Sequence, residues 1–175
     1  YCEDGDAGIN QVLWYRRKLL SGWEDPIRLT DTDDDVTSPS IAVDDNGLVH
    51  LVYARGPSNQ TRAMRYYRIQ DGNADLGELT ISDGASEKSY FLGTAVSSVG
   101  RVHTVFQRLV DGNFDLFFVT GRGDVFTPPE RITDTPGLDE STPSVVVSST
   151  GEVSLTYTEN LSAFPDGTVY FGVRQ

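Results

Sequence analysis

The sequence predicts an all-β repeat protein, and two observations carry that prediction. A unit of about 52 residues recurs in frame along the 175-residue chain, and no segment sustains a helical spacing of apolar residues. Each unit divides into short runs rich in β-branched and aromatic residues, punctuated by Gly, Asp and Pro.

The hairpin of strands A and B is the clearest element. Ser38–Val43 and Leu48–Tyr53 flank a turn closed by Gly47; Phe91–Val96 and Arg101–Phe106 flank Gly100; Thr142–Val147 and Glu152–Tyr157 flank Gly151. The three glycines lie 53 and 51 residues apart and supply the positive φ that tight turns need. Strand C ends in aromatics, with Tyr15, Tyr67, Phe118 and Phe171 spaced by 52, 51 and 53. Strand D is Trp23–Thr30 and Phe126–Thr133, which match position for position, with Ser82 in the slot of Thr30 and Thr133; its prolines suit a sheet edge. The order is therefore C-D, A-B-C-D, A-B-C-D, A-B-C, in one domain over 1–175. The boundaries expected are a half blade at 9–31, blades at 36–83 and 87–134, and a partial blade at 140–175. Four short strands per unit, with A and B apolar on both faces, are what sheets packed face to face around an axis require. The fold expected is a β-propeller, about three and a half blades of it. A β-sandwich would not repeat in frame at this length.

The pattern of Ser38-Pro39-Ser40-Ile41-Ala42-Val43-Asp44, Gly47, Val49-His50-Leu51-Val52-Tyr53 and then Trp23 or Phe126 before Pro resembles the BNR/sialidase-like propeller repeats. That resemblance implies the fold and leaves activity open, because such repeats serve hydrolases, lectins and scaffolds alike. Neither the Asp-box nor the Phe-Arg-Ile-Pro segment of sialidases is present. The fractional blade count admits a piece of a longer chain, a ring completed by a second copy, or a small ring closed by its own terminal strands. The redundant strand C at the two ends favours the first.

The net charge of −12 disfavours nucleic acid as a partner and suits cations, basic proteins or neutral ligands. No apolar run reaches membrane-span length. The start of the chain shows no basic-then-apolar leader, so a signal peptide is expected to be absent or removed. Cys2 is the only cysteine and is available only to another chain or to a part of the protein outside this sequence.

In a propeller the D–A and B–C loops share the face around the channel mouth, and the candidate ligand-binding residues fall there. Asp31, Asp33, Asp34 and Asp35 crowd one D–A loop, and Asp134, Asp139 and Glu140 another. Asp35 and Asp139 each precede a Pro by four residues, and Lys88 takes their place in the middle unit. They are a candidate cation site, Ca2+ included, or acceptors for sugar hydroxyls; as recurring elements they read equally as turn aspartates. Arg55, Arg108 and Glu159 open the B–C loops, where the arginines could grip a carboxylate or pair with the D–A aspartates. Tyr90 and Phe91 stand where the other units have Thr37-Ser38 and Ser141-Thr142, and exposed aromatics there could stack on a sugar.

His50 and His103 share one repeat position, so a hydrogen-bonding role inside each blade is expected rather than a joint site. Asp71–Asp75 and Asp111–Asp115 lack the rest of a calcium loop and read as tight turns. Arg122-Gly123-Asp124 is a chance-level adhesive tripeptide in a C–D loop, and Asn59 and Asn160 head glycosylation sequons expected in B–C loops. No catalytic set is visible.

The function expected is a non-catalytic, extracellular binding or scaffold module that takes a glycan or protein on its D–A/B–C face. The alternatives are part of a sialidase-like glycoside hydrolase or polysaccharide lyase, and a structural subunit of an extracellular assembly. The partners expected include a second copy or the remaining blades of a longer chain.

Overall fold

The computed structural model describes residues 2–4, 11–31, 34–57, 61–82, 88–161 and 168–174. Among them the chain is all-β, in successive small antiparallel sheets. The first unit pairs β1 (Cys2–Asp4) with β2 (Gln11–Tyr15), beside a small hairpin of β3 (Lys18–Leu19) and β4 (Gly22–Trp23), and closes with β5 (Ile27–Arg28) on β2. The second sheet runs β6 (Asp35–Val43), β7 (Val49–Gly56), β8 (Ala63–Gln70), β9 (Asn73–Thr80). The third runs β10 (Ser89–Val96), β11 (Val102–Val110), β12 (Asn113–Arg122), with β13 (Val125–Phe126) and β14 (Glu130–Arg131) both on β12. The fourth is β15 (Leu138–Val147), β16 (Val153–Leu161), β17 (Thr168–Arg174). Strand β1 was not foreseen from sequence; it puts Cys2 opposite Leu13 in a strand.

Local chemistry explains most of these elements. In the A–B turns, Gly47, Gly100 and Gly151 donate to the carbonyls of Asp44, Ser97 and Ser148. The side-chain oxygens of those same three residues accept the N–H of Leu48, Arg101 and Glu152 at 2.9, 3.2 and 3.0 Å. Asp71-Gly72 and Asp111-Gly112 each place two successive residues at positive φ, the geometry of a two-residue hairpin turn, as expected for tight turns. Proline sets the length of strand D. Where Pro26, Pro128 and Pro129 remove donors, only two-residue pairings survive, whereas the proline-free β9 runs for eight residues.

Two regularities lie beyond the sequence pattern. Strand A carries a β-bulge at the same place in three sheets, with Ser38, Phe91 and Thr142 at φ 52°, 25° and 48°. The repeat register also shifts by one in the second sheet. Val52 faces Tyr66 as Val105 faces Phe118 and Thr156 faces Phe171, so Tyr66, not Tyr67, is the counterpart of Phe118. The hydroxyls of Thr30, Ser82 and Thr133 confirm the frame, accepting the N–H of Leu13, Met64 and Leu116 at 2.9, 3.1 and 2.8 Å.

The core lies between sheets. Leu13 packs with Val36, Leu51 and Tyr53; Val52, Met64 and Tyr66 with Val102, Phe106 and Phe117; Val105, Leu116 and Phe118 with Val145 and Val153. Phe126 caps the second contact, 4.8 Å from the Tyr66 ring. Its counterpart Trp23 is exposed beneath the Arg16 guanidinium, 5.6 Å away. The A strands of the third and fourth sheets come close at Gly93, where an added Cβ would lie 2.9 Å from the Pro143 carbonyl oxygen and 3.2 Å from Ser144 Cα. Both obstacles are backbone, so Gly93→Ala is expected to lower stability by roughly 1–3 kcal/mol in denaturant titration.

Candidate functional site

The D–A/B–C end of the sheets carries the residues singled out from sequence, and their side chains are largely engaged with one another. Arg55, at the end of β7, donates to Asp31 at 2.8 Å, Asp34 at 3.2 Å and Glu78 at 3.0 Å. This is the ion-pair arrangement considered for it, with a third carboxylate added from β9. Glu78 also accepts the hydroxyl of Tyr53, whose pKa rises through burial and that neighbouring carboxylate.

Asp35 and Asp139 act as clasps between sheets. Asp35 accepts the N–H of Gln11 at 3.0 Å, and Asp139 accepts the N–H of Phe114 at 2.8 Å. Gln11 and Phe114 occupy the same place, four residues before Tyr15 and Phe118, so the recurring aspartate has a recurring job: it satisfies a backbone donor of a C strand. The other Asp35 oxygen is held by Arg62 in a buried ion pair. In the middle unit Lys88 cannot accept such a bond. A parallel bridge between Arg62 and Lys88 replaces the clasp, and the Lys88 side chain is exposed.

Arg108 lies with its guanidinium 4.8 Å above the Phe117 ring, opposite Asp115 in register. Glu159 sits in β16 opposite Glu140. Tyr90 is half-buried, edge-on to Phe114 and beneath Arg62 at 5.4 Å. Phe91 occupies the bulge at φ 25° and is 52% exposed. A bulky side chain at positive φ costs on the order of 1–3 kcal/mol, which the surrounding ladder must offset.

The structure thus brings Arg55 to Asp31 and Asp34, and Asp35 to Arg62. It places Glu159 and Asp139 along the junction of the third and fourth sheets, and Arg108 over Phe117, on the side of the third sheet that packs against the second. Asp33 and Asn59 lie outside the described residues, as does Ser162 of the second sequon. Asn160 lies in β16 opposite Asp139, not in a loop. Arg122-Gly123-Asp124 forms the exposed turn between β12 and β13. Among the described residues no three His, Cys, Asp or Glu side chains come together as a metal site.

Sequence reasoning passed over Arg62, Glu78 and Arg131, and named Asp115 only as the end of a turn, whereas it lies in β12. Arg131 bridges the fully buried Asp115 at 2.6 Å and Asp134 at 2.8 Å. Glu140, placed in the acidic D–A loop by its sequence, is fully buried in β15 and accepts the Thr133 hydroxyl at 3.2 Å. Only the Glu140 position could have been flagged in advance, since it interrupts an apolar slot held by Val36 in the second sheet. Burial holds the Glu140 carboxyl above the ordinary range; the Thr135 and Thr133 hydroxyls oppose the rise and Asp115 adds to it. The unfolded chain releases this proton first, so the folded state loses stability as pH rises from the ordinary carboxylate pKa through the raised value. Glu140→Gln is therefore expected to raise the unfolding midpoint at neutral pH and to change it little in acid, measured by thermal melts across that range.

No protein-family model and no curated protein matches the chain. Among solved structures it is similar to an endo-arabinase from Bacteroides thetaiotaomicron VPI-5482, with a TM-score of 0.61 and 11% identity over 98% of this chain and 68% of that one. It also aligns with a fucose lectin from Kordia zhangzhouensis, with a TM-score of 0.46 and 16% identity over 77% of this chain and 97% of that one. At these identities the first likeness speaks to fold alone. This chain is an all-β assembly of small antiparallel sheets with a propeller-like architecture.

Proposed function

We propose that this chain is a non-catalytic binding and scaffold module of a β-propeller, supplying about three and a half blades of BNR-like repeat (9–31, 36–83, 87–134 and 140–175) to a larger or oligomer-completed ring. Its working surface is the D–A/B–C loop face, its ligand a glycan or protein, and its setting extracellular. The observation that carries the reading is the contrast on that face. Arg55 is spent on three carboxylates and Asp35 on Arg62, while Phe91 stands out from a strained bulge beside exposed Lys88. An aromatic ring presented to solvent suits a sugar face or an apolar side chain. The test is a glycan array and pull-down with the full chain beside its Phe91→Ala variant. Binding lost in the variant, with the melt unchanged, supports the reading. Glycoside hydrolase activity with no ligand captured would sink it.

A hydrolase is the second reading, and the juxtaposition of Asp115 with Glu140, whose pKa is raised, favours it, since catalytic carboxylates are tuned apart in this way. Both are fully buried, and a catalytic acid must touch its substrate, so the binding reading stands first.

A further inference from the structure

The two repeat-equivalent histidines are not in equivalent surroundings. His50 is bonded at one ring nitrogen and faces a carboxylate with the other: Nδ1 lies 2.8 Å from the Tyr66 hydroxyl, and Nε2, which makes no hydrogen bond, lies 3.6 Å from Asp44. The third sheet has Phe118 and Ser97 at those two positions, so neither the phenol nor the carboxylate is there. His103 turns instead to Thr120, with Nδ1 3.3 Å from Oγ1. That contact fixes the tautomer. The single hydroxyl proton of Thr120 is donated to the Val102 carbonyl at 2.8 Å, so Oγ1 can only accept from the ring, and Nδ1 carries the hydrogen. Burial, with Arg101 nearby, lowers the pKa and keeps the imidazole neutral. Nε2 is then a bare acceptor on a side chain only 7% exposed, and no described residue donates to it.

His103 lines a cleft of about 510 Å³ between the third and fourth sheets, at the A–B turn end, opposite the loop face discussed above. Phe118 and Pro128 give the cleft an apolar wall; Glu130 and Glu152 supply carboxylates, and Glu152 accepts the Thr150 hydroxyl at 3.2 Å. Besides the hydroxyls of its threonines, the side chains that line it offer acceptors and an apolar wall, with no cationic group among them. A metal ion is not what these groups hold, since no three ligands converge among the described residues. An anion would meet carboxylates. A neutral ring rich in hydroxyl donors, with one apolar C–H face, matches all three features, and the volume suits one or two sugar residues.

We propose that this cleft binds a neutral pyranoside, one hydroxyl of which donates to Nε2 of His103 while its C–H face lies on Phe118. The site is separate from the loop face and does not depend on a ligand there.

The test titrates the 15N-labelled full chain with a panel of neutral methyl hexopyranosides and pentopyranosides at millimolar concentrations, reading the imidazole nitrogens by long-range proton–nitrogen spectra. The free protein should show His103 as the Nδ1–H tautomer. Sugar should move its Nε2 signal and leave His50, the internal reference, in place. The His103 ring stacks on Phe118 with centres 6.0 Å apart; His103→Phe keeps that stack and should weaken binding by about tenfold, the loss of one hydrogen bond to a buried acceptor. Should that variant fail to fold, Glu152→Gln on the exposed turn replaces it, with a severalfold loss expected. Failure of every sugar to move the His103 signal overturns the proposal, as does a response to methylguanidinium alone. Phe91→Ala should leave this binding intact. Loss in that variant with none in His103→Phe would overturn the proposal and support the loop-face reading instead.

Discussion

Asp35→Ala is expected to cost roughly 3–5 kcal/mol, because it strands the Arg62 guanidinium in the interior and leaves the Gln11 N–H unpaired. Both side chains are almost wholly buried, at 11% and 9% exposed, so little solvent is on hand to replace the lost partner. The damage falls on the contact between the first and second sheets, since Gln11 belongs to β2 and Asp35 to β6. Asp139→Ala makes a graded control. It removes the same clasp from the Phe114 N–H at a less buried place, and about 1–2 kcal/mol is expected. A double-mutant cycle of Asp35→Ala with Arg62→Met, followed by denaturant titration, should return a coupling well above that of a surface pair. Additive effects of the two changes would show that the buried pair does not act as a unit.

Phe106→Ala is expected to lower stability by a similar amount, roughly 3–5 kcal/mol. Phe106 is fully buried, stacks on Phe117 with ring centres 6.0 Å apart, and packs among Val52, Met64, Tyr66 and Val102. It joins the second sheet to the third, and the main chain around it is held in two ladders, so the cavity cannot collapse readily. Phe106→Leu should cost less than half as much, since it keeps most of the apolar volume. An alanine variant that melts like the parent would mean that the two sheets slide together over the void.

The elements behind these predictions differ in how far the sequence disclosed them. Phe106 was legible: it ends a strand B, as Tyr53 and Tyr157 do, and all three pack towards the preceding sheet. The three A–B turns were legible too, because Gly47, Gly100 and Gly151 act within four residues of their partners. The pairing of Asp35 with Arg62 was not, since it spans 27 residues and joins the start of strand A to the residue just before strand C. The same holds for Arg55, whose third partner, Glu78, comes from a strand D that is long only because it lacks proline.

The two histidines mark the limit most plainly. Their shared repeat position correctly announced a hydrogen-bonding role inside each sheet. It gave no hint that one is set between a phenol and a carboxylate while the other has neither, because the one-residue shift that makes Tyr66 the counterpart of Phe118 becomes visible only in the paired strands.

The sequence by itself determined most of the strands, β1 excepted, with their order and the turns between them. Each depends on side-chain alternation and on the backbone freedom of neighbours a few residues away. The tertiary structure decided which charges meet, which carboxyl is buried and which cleft is left open. Those outcomes depend on the twist and register with which one sheet lies on the next, and these are set by the packing of whole faces rather than by any local run of residues.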